Sequence, residues 1–418
     1  MEVRPGYKHT EVGVIPESWD VKPLNDLGHF KNGINKAKDE FGHGFPFVNL
    51  MDVFGIPKLA ATTSDLGLLE SSAAERKLYE LKRGDVLFVR SSVKPAGVGL
   101  TTLIPEDLPD TVFSGFLIRF RDDGFLDHRF KEHCFWGDGF RAKLLASSTV
   151  SANTNINQDA LKRLQIAIPS SPAEQHAIGT ALSDMDALLA GLDRLIAKKR
   201  ELKQAAMQQL LNGQTRLPGF QGDWETKLLP DLAEIRSGGT PSTNDHAAWD
   251  GDIAWCTPTD ITALAGGKYL TGTARRITTH GLRQSSAEVI PAGSVVMTSR
   301  ATIGECAINK VPMTTNQGFK NFVPFESVDA EFLYYLLTTQ RAGFMSLCAG
   351  STFLEIGKAQ LRGYGVRVPA NKSEQAAIAA ILSDMDAELT ALEARRDKTR
   401  ALKQAMMQEL LTGRTRLV

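Results

Sequence analysis

The chain has 418 residues, and its 48 basic side chains are balanced by 48 acidic ones, so the formal net charge at pH 7 is zero. This length allows two to four domains of ordinary size, and the even charge argues against a simple electrostatic binder of nucleic acid. No apolar run approaches the ~18 residues of a membrane span, and the first residues lack the apolar core of a signal peptide. We therefore expect a cytoplasmic protein with no membrane contact.

The first 170 residues have the pattern of a mixed α/β domain. Short β-rich runs broken by Gly, Pro and Asn dominate this segment. Strand-like runs cover residues 45–52 and 82–90, and residues 126–144 have the pattern of a helix. We predict that residues 1–170 form a first domain built on a strongly bent sheet.

A single helix of about 40 residues is predicted next, over residues 171–212 of a segment that ends at 217. Ser171 can cap it, Pro172 suits the first helical position, and Glu174 would complete a capping box. Gly213 would end the helix from the C′ position. The apolar residues recur at alternating steps of four and three, which is the spacing of a coiled-coil seam. They are Ile178, Leu182, Met185, Leu189, Leu192 and Ile196.

The remainder of the chain repeats this order. Residues 218–370 form a second predicted mixed α/β domain, with strand-like runs at 253–260 and 291–300 and a helix at 329–346. Residues 371–418 contain a second long helix, whose seam is Ile378, Leu382, Met385, Leu389 and Leu392. Residues 166–217 and 366–417 align at a constant offset of 200, with 27 of 52 positions identical. The period is too long for a solenoid and indicates a protein of two similar halves.

The charge pattern predicts how the two helices pair. Each is acidic early and basic late, as Asp186 and Lys203 illustrate in the first helix and Asp386 and Lys403 in the second. Antiparallel pairing sets acid against base at both ends, whereas parallel pairing sets like charges together. We predict an α+β fold in which two mixed α/β domains are separated by two long antiparallel helices that form a coiled coil, in a pseudo-twofold circular arrangement. Such symmetry suits duplex DNA; two separate solvated helices are the alternative.

Polar loops at corresponding places in the two halves are the candidate DNA-binding sites. Arg pairs with guanine and Asn or Gln with adenine, whereas Ser and Thr suit phosphate contacts. In the first half the candidates are Arg90, Ser91, Lys94, Ser148 and Thr149. In the second they are Thr298, Ser299, Arg300, Asn316, Gln317, Lys320, Ser351 and Thr352. Each loop alone matches an ordinary surface loop, and it is their correspondence that favours a binding function.

The sequence contains no recognisable catalytic motif. Methyltransferase, Walker and dinucleotide-binding patterns are missing. Asp65, Glu75 and Lys77 have a spacing that a metal-dependent nuclease could use, but the segment is typical of a polar loop that enters a helix. The four cysteines lie far apart, which predicts buried thiols rather than a zinc site. We expect no catalytic residue, metal or cofactor on this chain; a nuclease and a structural coiled-coil adaptor are the alternatives.

Several motifs together carry a family likeness over nearly the whole chain. They are the opening segment 7–19, Ser-Gly-Gly-Thr-Pro at 237–241, Arg-Ala-Thr-Ile-Gly at 300–304, Asn-Gln-Gly-Phe-Lys at 316–320, and the duplicated helix ending Leu-Leu-x-Gly-x-Thr-Arg-Leu. In these features the chain resembles the specificity subunit of type I restriction–modification enzymes. It departs from the pattern in the first half, where Arg90-Ser91-Ser92 does not reproduce the Arg-Ala-Thr-Ile-Gly motif.

The resemblance implies a non-catalytic subunit of a bacterial defence system. Its two target-recognition domains, residues 1–170 and 218–370, would each read one half of a split, asymmetric site in double-stranded DNA. The helices would set the unread spacer and bind two methyltransferase subunits, which carry S-adenosylmethionine and methylate adenine. Restriction subunits, which use ATP and Mg²⁺, would then join.

Overall fold

The computed structural model describes residues 4–59, 66–348 and 354–417. The chain forms two compact units. Unit 1 combines residues 1–193 with residues 394–418, and unit 2 is residues 194–393. Each unit therefore contains one globular part and a portion of each long helix. Because the units divide both helices, the four-segment division predicted in chain order stays a prediction.

Unit 1 is built around an antiparallel sheet. Its strands are β1 (Tyr7–Thr10), β2 (Gly13–Pro16), β3 (Trp19–Pro23), β4 (Gly28–Asn32), β5 (Phe41–Val48), β6 (Gly67–Leu69), β7 (Val86–Val89), β8 (Ser91–Ser92), β9 (Thr101–Leu103), β10 (Val112–Phe113), β11 (Leu117–Asp122), β12 (Thr149–Val150), β13 (Thr154–Asn155) and β14 (Gln165–Pro169). Its short helices are α1 (Leu50–Val53), α2 (Ala73–Leu78), α3 (His128–Cys134), α4 (Asp138–Ala146) and α5 (Gln158–Arg163). The central sheet has the order β4-β11-β7-β9, and the smaller sheets are β10-β5-β6, β12-β13-β8, β14-β3 and β1-β2.

The first long helix, α6 (Pro172–Leu210), joins unit 1 to unit 2 in sequence. The strands of unit 2 are β15 (Glu225–Leu228), β16 (Ala233–Ser237), β17 (Trp249–Cys256), β18 (Tyr269–Leu270), β19 (Arg275–Ile277), β20 (Val295–Thr298), β21 (Cys306–Asn309), β22 (Thr314–Thr315), β23 (Phe319–Pro324) and β24 (Gly365–Val368). Its helices are α7 (Leu229–Leu232), α8 (Pro258–Ala263), α9 (Thr279–Arg283), α10 (Ala330–Thr339), α11 (Arg341–Ser346) and α12 (Lys358–Arg362), followed by the second long helix, α13 (Lys372–Leu410).

The main sheets of unit 2 follow the strand order of those in unit 1, with one further strand, β18, in the central sheet. Its central sheet, β16-β23-β20-β21-β18, places β23 and β20 where unit 1 has β11 and β7, and the order β19-β17-β22 matches β6-β5-β10. The faint sequence correspondence between the halves therefore reflects a common fold. Both units mix helix and strand, as predicted.

The predicted short elements are confirmed in place but not always in extent. The turn before β7 and the turn before β20 both contain a glycine with positive φ, Gly84 at 90° and Gly293 at 86°. The strand-like run 45–52 ends at Val48, because Asp52 lies in α1 and accepts a 2.7 Å hydrogen bond from the Asn49 backbone N–H. The helices predicted at 126–144 and 329–346 each break into two, α3 with α4 and α10 with α11.

Each long helix has 39 residues, equivalent to about 58 Å. Within unit 1, Lys403 Nζ lies 2.5 Å from Asp186 Oδ1. Within unit 2, Lys203 is paired with Asp386, and Lys199 Nζ lies 2.7 Å from Glu388 Oε1. Each ion pair joins an early position of one helix to a late position of the other, so the helices pack antiparallel. This confirms the orientation predicted from charge.

The seam residues of the helices have two kinds of surroundings. Ile178 and Leu182 belong to the hydrophobic core of unit 1, which also contains Phe88, Phe120 and Phe135. Ile378 and Leu382 belong in the same way to the core of unit 2. The first turns of each helix are therefore part of a globular core as well as of the helix pair. Further along, Leu192, Ile196 and Leu389 are buried, and Met185, Leu189, Met385 and Leu392 are half-buried.

A buried Arg–Glu–Trp cluster, which we call the clasp, occurs once in each unit. In unit 1, Glu174 is 1% exposed, and its Oε2 accepts hydrogen bonds from Arg416 Nη2 at 2.7 Å and from Trp19 Nε1 at 3.2 Å. In unit 2 the corresponding residues are Glu374, Arg216 and Trp224: the carboxylate accepts from Arg216 Nε at 2.7 Å, from Arg216 Nη2 at 2.8 Å and from Trp224 Nε1 at 3.3 Å. The prediction that Glu174 completes a capping box is therefore wrong, because its carboxylate is engaged in the clasp.

The clasp explains much of the duplicated sequence. Gly213 and Gly413 have φ of 73° and 69°. A Cβ at Gly213 would lie 3.0 Å from the ring of Trp224, and a Cβ at Gly413 would lie 2.4 Å from Pro16 and 3.3 Å from the ring of Trp19. Glycine is required there both for the left-handed backbone and for the space. The helices themselves end at residues 210 and 410, slightly earlier than predicted.

A second polar cluster in unit 2 surrounds Glu331. Its carboxylate accepts hydrogen bonds from Lys268 Nζ at 2.8 Å, from Ser383 Oγ at 2.6 Å and from the Tyr269 hydroxyl. Burial alone would raise the pKa of Glu331, but these hydrogen bonds, that from Lys268 foremost, outweigh it and lower the pKa to about 2. Glu331 is therefore ionised throughout the physiological range.

Candidate nucleic-acid interface

Two polar loops occupy equivalent positions at the ends of β7 and β20. In unit 2, the backbone N–H of Ser299 donates to Gly318 O at 2.7 Å, and Ser299 O accepts from Ile356 N at 3.1 Å. In unit 1, Arg90 makes the same two bonds, to Phe116 O at 2.8 Å and from Ile156 N at 2.9 Å. Arg90 therefore corresponds to Ser299, and Ser91 to Arg300, which fixes a register that the sequence comparison had left open.

This pair of backbone hydrogen bonds, made by Arg90 in unit 1 and by Ser299 in unit 2, is the shared frame of the two loops. The loops that begin there differ in length. In unit 1 the backbone leaves β7 at Val89 and is bonded back to it by Gly99, whose N–H donates to Val89 O at 2.7 Å. In unit 2, Gly304 closes the equivalent loop on Thr298 O at 2.9 Å. The loop in unit 1 is thus the longer one by four residues, since 99 − 89 is 10 and 304 − 298 is 6. Similar frames with different loops are what two readers of different sequences require.

The residues predicted for unit 2 divide into exposed and buried ones. Arg300 is exposed, and its Nε lies 2.9 Å from Glu355 Oε2. Thr298 and Ser299 are completely buried, and Thr298 Oγ1 donates to Thr302 O at 2.6 Å. These two side chains support the loop rather than facing solvent, since Ser299 Oγ in turn accepts from Lys320 Nζ.

Lys320 is also buried, although the sequence suggested an exposed contact. Its Nζ donates to Ser299 Oγ and to Phe319 O, each at 3.4 Å. Loss of solvation lowers the pKa of Lys320, and the nearby carboxylate of Glu355 opposes that change. Lys320 thus lies beneath the loop that carries Arg300.

The Asn316–Gln317 loop lies beside the glycine-rich segment 237–241. Asn316 is half-buried, and its Oδ1 accepts from the Gly318 N–H at 2.9 Å. Gln317 is exposed, and its side chain is hydrogen-bonded to Thr240. A Cβ at Gly238 would lie 1.9 Å from Asn316 O, so this glycine permits the two loops to touch. The segment is therefore a site of close backbone approach.

In unit 1 the structure brings the two predicted polar loops together. Strand β13 pairs with β8 on one side, where Asn155 lies opposite Ser91, and with β12 on the other, where it lies opposite Thr149. Arg90 Nη1 donates to Gly115 O at 3.4 Å, and Lys94 is exposed. Ser148 is half-buried, and its Oγ donates to Leu144 O at 2.9 Å, so it caps the end of α4. Ser351 and Thr352, predicted at the equivalent place in unit 2, lie outside the described residues.

Two residues at this site were missed from the sequence. They are Asn155 and Glu355, each of which comes directly before the isoleucine that bonds to the start of the loop. In the strand pairing, Asn155 lies opposite Ser91, and Glu355 lies opposite Arg300. Their numbers differ by 200, the offset of the repeated helices, and that offset was the signal that could have found them. Three exposed apolar side chains of unit 1 lie on these loops or beside them, namely Val93, Phe116 and Val150.

Of the three residues considered for a nuclease, the structure describes Glu75 and Lys77. Glu75 is the third residue of α2; a backbone hydrogen bond from Ser72 and a bond from Lys36 lower its pKa. Lys77 is exposed at the end of that helix, and Asp65 lies outside the described residues. Within the described ranges, no group of three His, Cys, Asp or Glu side chains could hold a metal ion.

The thiols of Cys134, Cys256 and Cys306 are buried, and Cys348 is half-buried. Of the helices that the structure describes, none combines the length and apolar character that crossing a membrane requires.

Two segments of the chain, residues 16–203 and 221–400, each match the type I restriction modification DNA specificity domain. The chain belongs to this family. The resemblance inferred from the motifs is thereby confirmed. Each match covers one globular part and most of the long helix that follows it, so the family unit is repeated as the sequence is.

Known members are similar to this specificity-family chain over different lengths. The MjaIX specificity subunit of Methanocaldococcus jannaschii is 39% identical over 166 residues, which are 39% of this chain and 38% of that subunit. The EcoR124I/EcoR124II specificity subunit of Escherichia coli is 27% identical over 242 residues, 55% of this chain and 57% of that subunit. The matches thus span well under two thirds of these relatives. A chain from a structure on complex assembly and conformational transition of a type I restriction–modification system is 18% identical with a TM-score of 0.63, covering 96% of this chain and 99% of its own, and so shares the fold.

Proposed function

We propose that this chain is the DNA sequence-recognition subunit of a type I restriction–modification complex and catalyses no reaction itself. One observation carries the proposal: the same hydrogen-bonded frame occurs at the ends of β7 and β20, while the side chains on the two frames differ. A shared frame suits docking on the same kind of duplex, and different side chains suit the reading of two different half-sites. Double-stranded DNA with a split, asymmetric site is the ligand that fits both features.

The proposed contacts are the exposed and half-buried residues of these loops. In unit 1 they are Arg90, Ser91, Lys94, Thr149 and Asn155, and the exposed Phe116 and Val93 are suited to thymine methyl groups. In unit 2 they are Arg300, Asn316 and Gln317. Thr298, Ser299 and Lys320 are assigned to support of the loop because they are buried.

Two methyltransferase subunits are the proposed partners of the helix pair. Several large apolar side chains of α6 and α13 are exposed, among them Leu195, Leu202 and the equivalent Leu402. A partner subunit that covers them would remove apolar surface from water. The zero net charge also favours an assembly in which other subunits complete the grip on DNA. S-adenosylmethionine would belong to those methyltransferases, and ATP and Mg²⁺ to restriction subunits.

Methylation mapping tests this proposal. The chain is expressed with its methyltransferase in a host free of adenine methylation, and modified adenines are located by long-read sequencing. We expect a bipartite sequence. Exchange of residues 1–170 for those of a relative should change one half of it, and the matched exchange of residues 218–370 should change only the other half.

Two results would contradict the proposal. If neither exchange alters the methylated sequence, the globular parts do not read DNA, and footprinting without protection inside the half-sites would favour a structural adaptor. Metal-dependent DNA cleavage by the purified chain alone would favour the nuclease.

A further inference from the structure

Three neighbouring side chains at the start of the loop are charged in unit 2, whereas their three counterparts in unit 1 are neutral. In unit 2 they are Lys320, Glu355 and Arg300. The register of β11 with β7 and of β23 with β20 makes Ile118 the counterpart of Lys320. The bonds described above make Asn155 and Ser91 the counterparts of Glu355 and Arg300. A charged triad in one unit thus replaces a neutral triad in the other.

The carboxylate of Glu355 lies between two cations. Its Oε2 is 2.9 Å from Arg300 Nε, and its Oε1 is 3.9 Å from Lys320 Nζ. The side chains of Arg300 and Glu355 are 47% and 38% exposed, whereas that of Lys320 is 7% exposed. Across the described residues, Glu355 provides the only carboxylate within 4.0 Å of the Lys320 ammonium. An exposed ion pair therefore rests on a buried cation.

This arrangement has little value for stability. Burying an ammonium group is unfavourable unless a close partner compensates, and 3.9 Å is a loose approach. The exposed Arg300–Glu355 pair itself contributes little to stability, because water screens it. The equivalent position in unit 1 holds a buried Ile118, which carries no such cost. A buried lysine within 4.0 Å of an accessible carboxylate, where unit 1 has an apolar side chain, indicates a role in binding.

The chemistry of the exposed pair matches the major-groove edge of one base pair. Arginine donates to O6 and N7 of guanine, and a carboxylate accepts from the N4 amino group of cytosine. These edges lie side by side in a G·C pair. In unit 1, the amide of Asn155 can instead bond N6 and N7 of adenine, and Ser91 can donate or accept.

We propose that Glu355 and Arg300 together read one G·C pair in the half-site of unit 2, with Lys320 as the positioning residue, and that Asn155 reads an A·T pair at the equivalent place in the half-site of unit 1. The proposal rests on the proposed function and names the specificity-determining residues of that same site. It assigns base contacts to Asn155 and Glu355. At the equivalent position, the half-site of unit 2 should therefore hold G·C and the half-site of unit 1 should hold A·T.

The test uses the full chain assembled with its methyltransferase subunits and the methylation map described above. E355Q keeps the size of the side chain but can donate as well as accept, so the preference for G·C at one position of one half-site should fall roughly tenfold. The triple variant K320I/E355N/R300S should shift that position towards A·T. The other half-site should be unchanged in both variants. E225Q, which alters an exposed ion pair with Lys227 on β15, is the matched control and should leave the whole sequence unchanged.

The positioning role of Lys320 needs its own measurement. K320M fills the buried space without the charge, and it should relax the same single position as E355Q while unfolding at the same or a higher temperature. If the lysine is merely structural, K320M should lower the melting temperature and leave the base preference intact. If the wild-type complex methylates a bipartite sequence and E355Q and K320M leave every position of it unaltered, this inference is overturned while the proposed function stands. If the wild-type complex yields no bipartite sequence, both fail.

Discussion

Replacement of Glu174 by glutamine tests what the clasp contributes to unit 1. Glutamine keeps the size and can still accept from Trp19 Nε1, but it removes the negative charge opposite Arg416. A hydrogen bond to a charged group contributes about 1.5–3 kcal/mol, and loss of one partner of a buried pair costs about 3–5 kcal/mol. The side chain of Arg416 is 34% exposed, so water compensates in part. We expect a loss of about 2 kcal/mol in the free energy of unfolding, which is about thirtyfold in the equilibrium constant.

Urea unfolding followed by circular dichroism measures this loss. The matched control is E409Q, because Glu409 Oε1 lies 3.7 Å from Arg414 Nη1 in an ion pair whose side chains are 45% and 63% exposed. That variant should change the unfolding free energy by less than about 0.5 kcal/mol. E374Q should repeat the loss in unit 2, since its contacts are the same. If E174Q unfolds at the same urea concentration as E409Q, the reasoning about the buried charge is refuted.

Three further predictions concern packing, pH and the helix pair. In G179A the new Cβ would lie 2.5 Å from the backbone of α3, so the free energy of unfolding should fall by about 1–3 kcal/mol. In G191A, on the same helix, the new Cβ meets nothing within 4 Å, so the free energy of unfolding should rise by about 1 kcal/mol from helix propensity. The thermal unfolding temperatures of the two variants should therefore shift in opposite directions. The pKa of Glu331 is lowered to about 2, so its charge stabilises the native state at pH values above the ordinary glutamate pKa of about 4.3. This stability is lost as the pH falls towards 2. E331Q should therefore flatten the acid side of a plot of unfolding free energy against pH. A double-mutant cycle on Lys403 and Asp186 should give a coupling of about 0.5–1 kcal/mol that weakens in 1 M salt, and a coupling near zero would show that the pair does not orient the helices.

The sequence predicted the long helices and their direction because both signals are local and repeated. A 4,3 spacing of apolar residues continues over several turns, and the charge reversal along each helix leaves one favourable orientation. The clasp was missed for the opposite reason. Glu174 and Arg416 are 242 residues apart, so no local pattern links them, and a Glu three residues after Ser171 satisfied a simpler motif.

The site could be predicted only in part, since residue type does not give burial. Thr298, Ser299 and Lys320 are polar and follow an apolar run, which is typical of an exposed loop. They are buried inside unit 2, where Thr298 Oγ1 donates to Thr302 O and Lys320 Nζ donates to Ser299 Oγ, and the chain turns only at Ala301, where φ is 56°. Arg300 and Gln317 are exposed, so a binding role for them stays a prediction. Asn155 and Glu355 are separated from their partners in the sequence, so the backbone bonds were needed to bring them into view.

The composition of unit 1 from two distant stretches of chain has a consequence for biosynthesis. A ribosome that has reached residue 393 has already produced every residue of unit 2, whereas unit 1 still lacks Met407, Leu410 and Arg416 of its core and clasp. The portion translated first is thus the last to mature. A premature stop late in the coding region would leave the later-made unit intact and damage the one encoded at the beginning.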